Sequence, residues 1–358
     1  MAKEKYYKSY ANYNVGISML KMIMCFSVIV AHLWKVNTTN SGVLGWIYYL
    51  REYAVPVFMI LAFYFSEKFL SDLSGEKLLN RIIRLVVPLW SWAVIYWVVY
   101  KLLQETLYPG FNLQIQDLLW QMTTGNSVYL NGAMWFQVDL ILLTLLFALI
   151  IFVAQKFKNH VFVLLTVGCL YIQYTGITLF MYKWKAELSG TCGRFFEMLP
   201  MAVAGYMLAN YGLLNKAKKN WITTIIVCLA GLKLVRYYDV ISKLNFEGLD
   251  PGKQAFDYAG LNRVTVALLM IFLCFVLPLD KLPRALKVII EWLTKYTLGI
   301  YCSHMLVARL LDYFLTHKSG VGLETDTIGE CIATYIICYF ICFLIARVPC
   351  KWTKMLVE

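Results

Sequence analysis

The sequence predicts an all-α fold: a polytopic membrane helix bundle of about ten transmembrane helices, with the N- and C-termini cytoplasmic. Three observations lead there. Of 358 residues, 60% are hydrophobic and only 15% charged, and the mean hydropathy of +0.63 exceeds what a water-soluble domain sustains. Apolar stretches near the length of a bilayer-spanning helix recur from end to end, so neither one signal segment nor one anchor accounts for them. The net charge of +12 is carried largely by basic residues in short connections between those stretches. That distribution suits a membrane surface and excludes nucleic acid as the reason for the charge.

The expected spans fall at 15–35, 44–66, 85–104, 131–155, 161–180, 195–212, 219–238, 261–280, 292–315 and 328–348. The second begins near Arg51 and Glu52 and is interrupted by Pro56, a break of the kind that lines cavities. The sixth is short and contains Pro200. With the N-terminus inside, inward segments hold eighteen basic residues and outward segments eleven, which places both termini in the cytoplasm. The outward connections 105–130, 181–194 and 239–260 read as surface loops able to meet an external substrate. Residues 1–10 are basic and aromatic without a cleavage pattern, and no repeat or linker divides the chain, so residues 1–358 read as one domain.

Ten cysteines raise the question of disulfides or metal. Most of them, including Cys25, Cys302, Cys338 and Cys342, lie in apolar segments, where a thiol behaves as a small hydrophobe. With no CxxC and no HExxH, no metal site is expected.

Ionisable groups inside the spans carry the functional argument. KMIMCFSVIVAH, residues 21–32, begins with Lys21 and ends with His32, eleven residues apart. On a helix that is three turns plus about 20°, so both side chains share one face about 16 Å apart. A charge facing lipid costs several kcal/mol, so the face turns toward the bundle interior or a water-filled cavity. Neutral imidazole offers a nitrogen to act as general base, which makes His32 a candidate catalyst. Its competing account is a hydrogen bond to a neighbouring helix or a polar anchor at the outer interface, and for Lys21 it is snorkelling to inner headgroups.

Four further stretches matter. RIIRLVVPLW, 81–90, puts Arg81 and Arg84 on one side of a helix at a cytoplasmic connection, where paired guanidinium groups suit phosphate or anchor to lipid headgroups. Arg51 stands at the outward end of the second span, in a cavity or in the interface beside Glu52. WFQVDL, 135–140, buries Asp139 in the fourth span, paired with Lys21, Arg51 or His32, or protonated. LGIYCSHMLV, 298–307, places Tyr301 and His304 one turn apart, lining the cavity of His32 or bonding packed helices.

Read in order, these segments resemble acyltransferase family three, integral-membrane O-acyltransferases. The likeness is to the short form without an esterase-like domain, as among surface-polysaccharide and enterobacterial-common-antigen O-acetyltransferases. The family has a basic residue, ten residues and a histidine in its first span, matched by Lys21 and His32. Its Arg-x-x-Arg element is matched by Arg81-Ile-Ile-Arg84 and its second-span pattern by Arg51, Ala54, Val55, Pro56 and Phe58, with Ala62 and Phe63 where the family has Ser-Gly. Trp135-Phe136 is similar to the start of its fourth span, and Gly299-Ile300-Tyr301 with His304 to its late G-I-Y-x-x-H element, with Met305 where proline often follows.

The resemblance implies transfer of an acyl group, most simply acetyl, from cytosolic acetyl-CoA or another acyl-CoA to a hydroxyl of a carbohydrate or glycolipid in a bacterial plasma membrane. It implies His32 as base, Arg81, Arg84 and Lys21 for the donor, and Arg51, Trp135, Asp139, Tyr301 and His304 around the acceptor or cavity. His32 falls in the outer half of its span, so the donor must penetrate deeply or the bundle must hold a cavity. A transporter or flippase of glycolipid precursors fits the composition equally well, although no duplicated half is found.

Overall fold

The computed structural model of the chain describes residues 14–33, 47, 49–103, 112–126, 130–174, 191–245, 261–315 and 328–357, and among them all regular structure is helical. The helices are α1 (Val15–Leu33), α2 (Ala54–Ser71), α3 (Gly75–Leu102), α4 (Ile115–Thr124), α5 (Trp135–Ala154), α6 (Lys158–Tyr174) and α7 (Thr191–Asn210). They continue as α8 (Leu213–Lys219), α9 (Trp221–Asn245), α10 (Leu261–Val276), α11 (Arg284–Thr294), α12 (Thr297–Tyr313), α13 (Ile328–Arg347) and α14 (Lys351–Val357). Six stretches among the described residues are long and apolar enough to cross a membrane: Val15–Leu33, Arg51–Ser71, Gly75–Leu102, Trp135–Cys169, Arg263–Lys281 and Ile328–Arg347.

α1 is the axis of the bundle, packed by α2, α10, α11, α12 and α13. Asn14 caps it: its Oδ1 accepts the Ile17 N–H at 3.0 Å, and its Nδ2 donates to the Phe275 carbonyl of α10 at 3.1 Å. Between helices in lipid there is little hydrophobic force, so close packing depends on small residues. At Gly16 a β-carbon would fall 1.7 Å from the Cys274 carbonyl oxygen of α10, and at Gly205 of α7 it would fall 2.1 Å from that of Ile60 in α2. At both places backbone meets backbone.

Several boundaries differ from the sequence reading, each for a local reason. A 3-10 turn at Arg51–Tyr53 divides the expected second span: residues 47, 49 and 50 before it are helical, and α2 begins at Ala54 after it. Pro56 stands four residues after Glu52 of that turn, so the expected break falls there, and α2 itself continues past the proline. It lies in the first turn, where the missing N–H has no intrahelical acceptor to lose. Pro88 and Pro200 lie inside α3 and α7, and both helices continue through them. α3 begins ten residues early because the Ser74 hydroxyl accepts the Lys77 N–H and caps it.

The connection 105–130 is not wholly loop: α4 starts at a capping box between Gln114 and Asp117 and ends at Gly125, whose φ of +66° favours glycine. Thr191–Asn210 takes Arg194 out of the expected loop into the first turn of α7. The ninth expected span begins at Thr297, and the residues before it form the separate amphipathic helix α11 after Pro283. Residues 181–190 and 246–260 of the outward connections lie outside the described residues.

Substituting Gly205→Val drives a side chain into the Ile60 backbone. Thermal unfolding of the detergent-solubilised protein is expected to show a loss of about 1–3 kcal/mol, the range of overpacked cores. A midpoint equal to the parent's would remove this contact from the account of packing.

Candidate active site

A cavity of about 660 Å³ lies between α1, α2, α3, α5 and α12. Lys21 of α1 and Lys77, Asn80, Arg81 and Arg84 of α3 line one part of it, Phe58, Leu61, Ala62, Phe65, Ser66 and Phe69 form an α2 wall, and Phe136, Gln137 and Tyr301 line another part. Among the described residues that line it there is no aspartate or glutamate. Lys77 Nζ reaches the Asp72 carboxylate at 3.2 Å, with both side chains about half exposed. Lys21 does not snorkel away: its Nζ stands 4.6 Å from the Phe65 ring centroid, a cation–π contact on the cavity wall.

α12 runs parallel to α1. Cys25 Sγ lies 3.7 Å from the Thr297 carbonyl oxygen, and the rings of His32 and His304 stand 5.3 Å apart, centroid to centroid, tilted by 42°. The lining therefore ascends from Lys21 past Thr297 to Tyr301, one turn short of His304. His32 is exposed at the end of α1 and its ring faces α12. His304 is fully buried, its Nδ1–H donating to the Tyr301 carbonyl at 2.6 Å. Tyr301 in turn donates its hydroxyl to the Ala133 carbonyl.

The structure thus brings together Lys21, Arg81, Arg84 and Tyr301 along one cavity, with His304 and His32 above it. Five expected residues are not among its lining: His32 and His304, which stand beyond it, and Arg51, Trp135 and Asp139. Arg51 is half-buried in the 3-10 turn, and its neighbour Glu52 pairs with Arg263 of α10 at 3.2 Å. Trp135 is buried under the Arg194 guanidinium, 4.2 Å from its ring centroid. Asp139 is fully buried within α5.

Sequence reasoning missed Lys77, Asn80, Gln137 and Arg194. The signal for Lys77 was present: with Ser74 as cap, positions 77, 81 and 84 fall on one helical face. Gln137 carries no such mark, because its place on the lining is set by α12 crossing α5.

A family model described as an acyltransferase domain, that of acyltransferase family three, matches residues 14–347, nearly the whole chain. The chain belongs to acyltransferase family three. No curated protein and no solved structure matches it. With its apolar helices, this acyltransferase is an integral membrane protein. All the motif positions described above fall within the matched region.

Ala62 is the small residue of the acyltransferase's α2 wall. Ala62→Trp is expected to fill the cavity and lower turnover at least tenfold while leaving the unfolding temperature within a few degrees, because the ring enters open space. Unimpaired turnover with a stable variant would show that substrate does not use this cavity.

Proposed function

We propose that this family-three acyltransferase moves an acyl group, most simply acetyl, from cytosolic acyl-CoA to a hydroxyl of a cell-surface carbohydrate or lipid-linked glycan at the bacterial plasma membrane. The single observation that carries the reading is the cavity, cationic in one part and apolar beyond, whose far wall ends one turn below a pair of histidines. The frame of this reading is a single domain of about ten spans with both termini cytoplasmic, an orientation that the eighteen-to-eleven excess of inward basic residues favours. On that orientation the cations of α3 lie at the cytoplasmic mouth and His32 near the opposite face.

A polyanion is what this mouth lacks. Arg81 and Arg84 offer forked donors for phosphate oxygens, and Lys21 and Lys77 add compact charges beside them. The α2 wall from Phe69 to Phe58 is apolar enough to guide an extended arm toward Tyr301. His32, exposed on the acceptor's side, takes the hydroxyl proton as that oxygen attacks the thioester carbonyl carbon. The C–S bond breaks as the new C–O bond is completed, and the proton held on His32 passes to the departing CoA thiolate. Arg51, Trp135 and Asp139, outside the cavity, support the outer end where the acceptor approaches.

His32→Ala is expected to lower acceptor acylation by at least about 100-fold, the lower range for a general base, while CoA still raises the unfolding temperature. Normal turnover would remove His32 from the chemistry. Arg81→Ala with Arg84→Ala is expected to weaken acyl-CoA binding by roughly 10- to 100-fold, about 1.4 kcal/mol per tenfold, measured by titration calorimetry. Unchanged affinity would place the phosphates elsewhere.

A further inference from the structure

We infer that His304 is a positioning residue for His32: its buried Nε2 accepts the N–H of the His32 ring, fixing that ring's tautomer and turning its other nitrogen toward the acceptor hydroxyl. The inference rests on the reading of His32 as general base and adds the group that orients it.

The tautomer of His304 follows from its partner. A carbonyl oxygen only accepts, so the 2.6 Å contact from Nδ1 to Tyr301 puts the proton on Nδ1 and leaves Nε2 as a bare acceptor. That Nε2 is buried with no hydrogen-bond partner among the described residues, on a side chain with no exposed surface. A buried acceptor left empty costs about 1–3 kcal/mol, so a donor belongs there. The His32 ring stands next to the His304 ring. Two imidazoles joined by an N–H···N bond have centroids roughly 5 Å apart, from ring radii of about 1.1 Å and an N···N distance of about 3 Å. The observed 5.3 Å is within a small side-chain rotation of that, and His32, exposed at a helix end, has room to make it.

The turn that carries His304 is built to hold it. The Tyr96 hydroxyl of α3 engages this turn twice: it accepts from Leu306 N–H at 2.9 Å and donates to the Cys302 carbonyl at 2.9 Å. Asn131 Nδ2 donates to the same carbonyl at 3.2 Å, and Gln137 Nε2 to Cys302 Sγ at 3.2 Å. Tyr96, Asn131 and Gln137 are all buried. So much polar material around one turn fixes the direction of the side chain that turn presents.

When His32 takes the acceptor's proton it becomes a cation with both nitrogens protonated, and the N–H facing His304 keeps its bond. No proton leaves for His304, and none is needed there.

The test compares His304→Phe, which keeps an aromatic ring but has no acceptor, with His304→Gln, which keeps a side-chain carbonyl. His304→Phe is expected to lower kcat on the order of 10- to 100-fold, as for loss of an orienting partner, with KM for acyl-CoA and thermal stabilisation by CoA unchanged. His304→Gln is expected to recover most of that loss. Full activity in His304→Phe, or equal losses in both variants with CoA stabilisation intact, would overturn the inference. Activity that survives His32→Ala would instead overturn the reading beneath it. Should either variant fail to fold, nitrogen-15 NMR of histidine-labelled wild-type protein decides: a neutral ring protonated at Nδ1, with a hydrogen-bonded Nε2, is expected for His304. A ring protonated at Nε2 would refute the proposal.

Discussion

Cations grouped on a cavity whose described lining holds no carboxylate are the constraint on which the bundle turns. Lys21, Arg81 and Arg84 cannot face hydrocarbon cheaply, and grouping them adds mutual repulsion. The fold accepts this by keeping the cavity open and by offering one aromatic face, Phe65, to Lys21. Only at the rim does a carboxylate, Asp72, answer one of the charges. A site arranged so is complete when an anion enters it, which is why the cavity reads as a place for a phosphate-bearing donor.

Around the start of α12 a second set of polar groups is uncharged, buried and hydrogen-bonded: Tyr96, Asn131 and Gln137 around Cys302, and His304 on Tyr301. Buried networks of this kind specify one arrangement, because each lost partner leaves an orphan in a medium without water. Charge marks one end of the cavity, and fixed hydrogen-bond geometry marks the other.

What the sequence disclosed was governed by periodicity. Lys21 and His32 share a face because their spacing is nearly three whole turns, and the structure does turn that face inward. Arg81 and Arg84 were legible for the same reason. Pro56 marked a break that falls just before it, at the 3-10 turn Arg51–Tyr53, because the carbonyl left without a partner is that of the residue four places earlier. α4 and α11 were hidden because a short amphipathic helix carries too few apolar residues to stand out beside the spans. Tyr96 and Gln137 had no local signal, since their partners lie 206 and 165 residues away.

α3 carries Lys77, Arg81 and Arg84 near its foot and Tyr96 about 18 Å above Arg84, with Pro88 between them, which has no N–H to give the Arg84 carbonyl. The charged foot of the cavity and the hydroxyl that meets Cys302 and Leu306 of α12 therefore stand on one continuous helix, so the spacing between the two ends is set by a single rod.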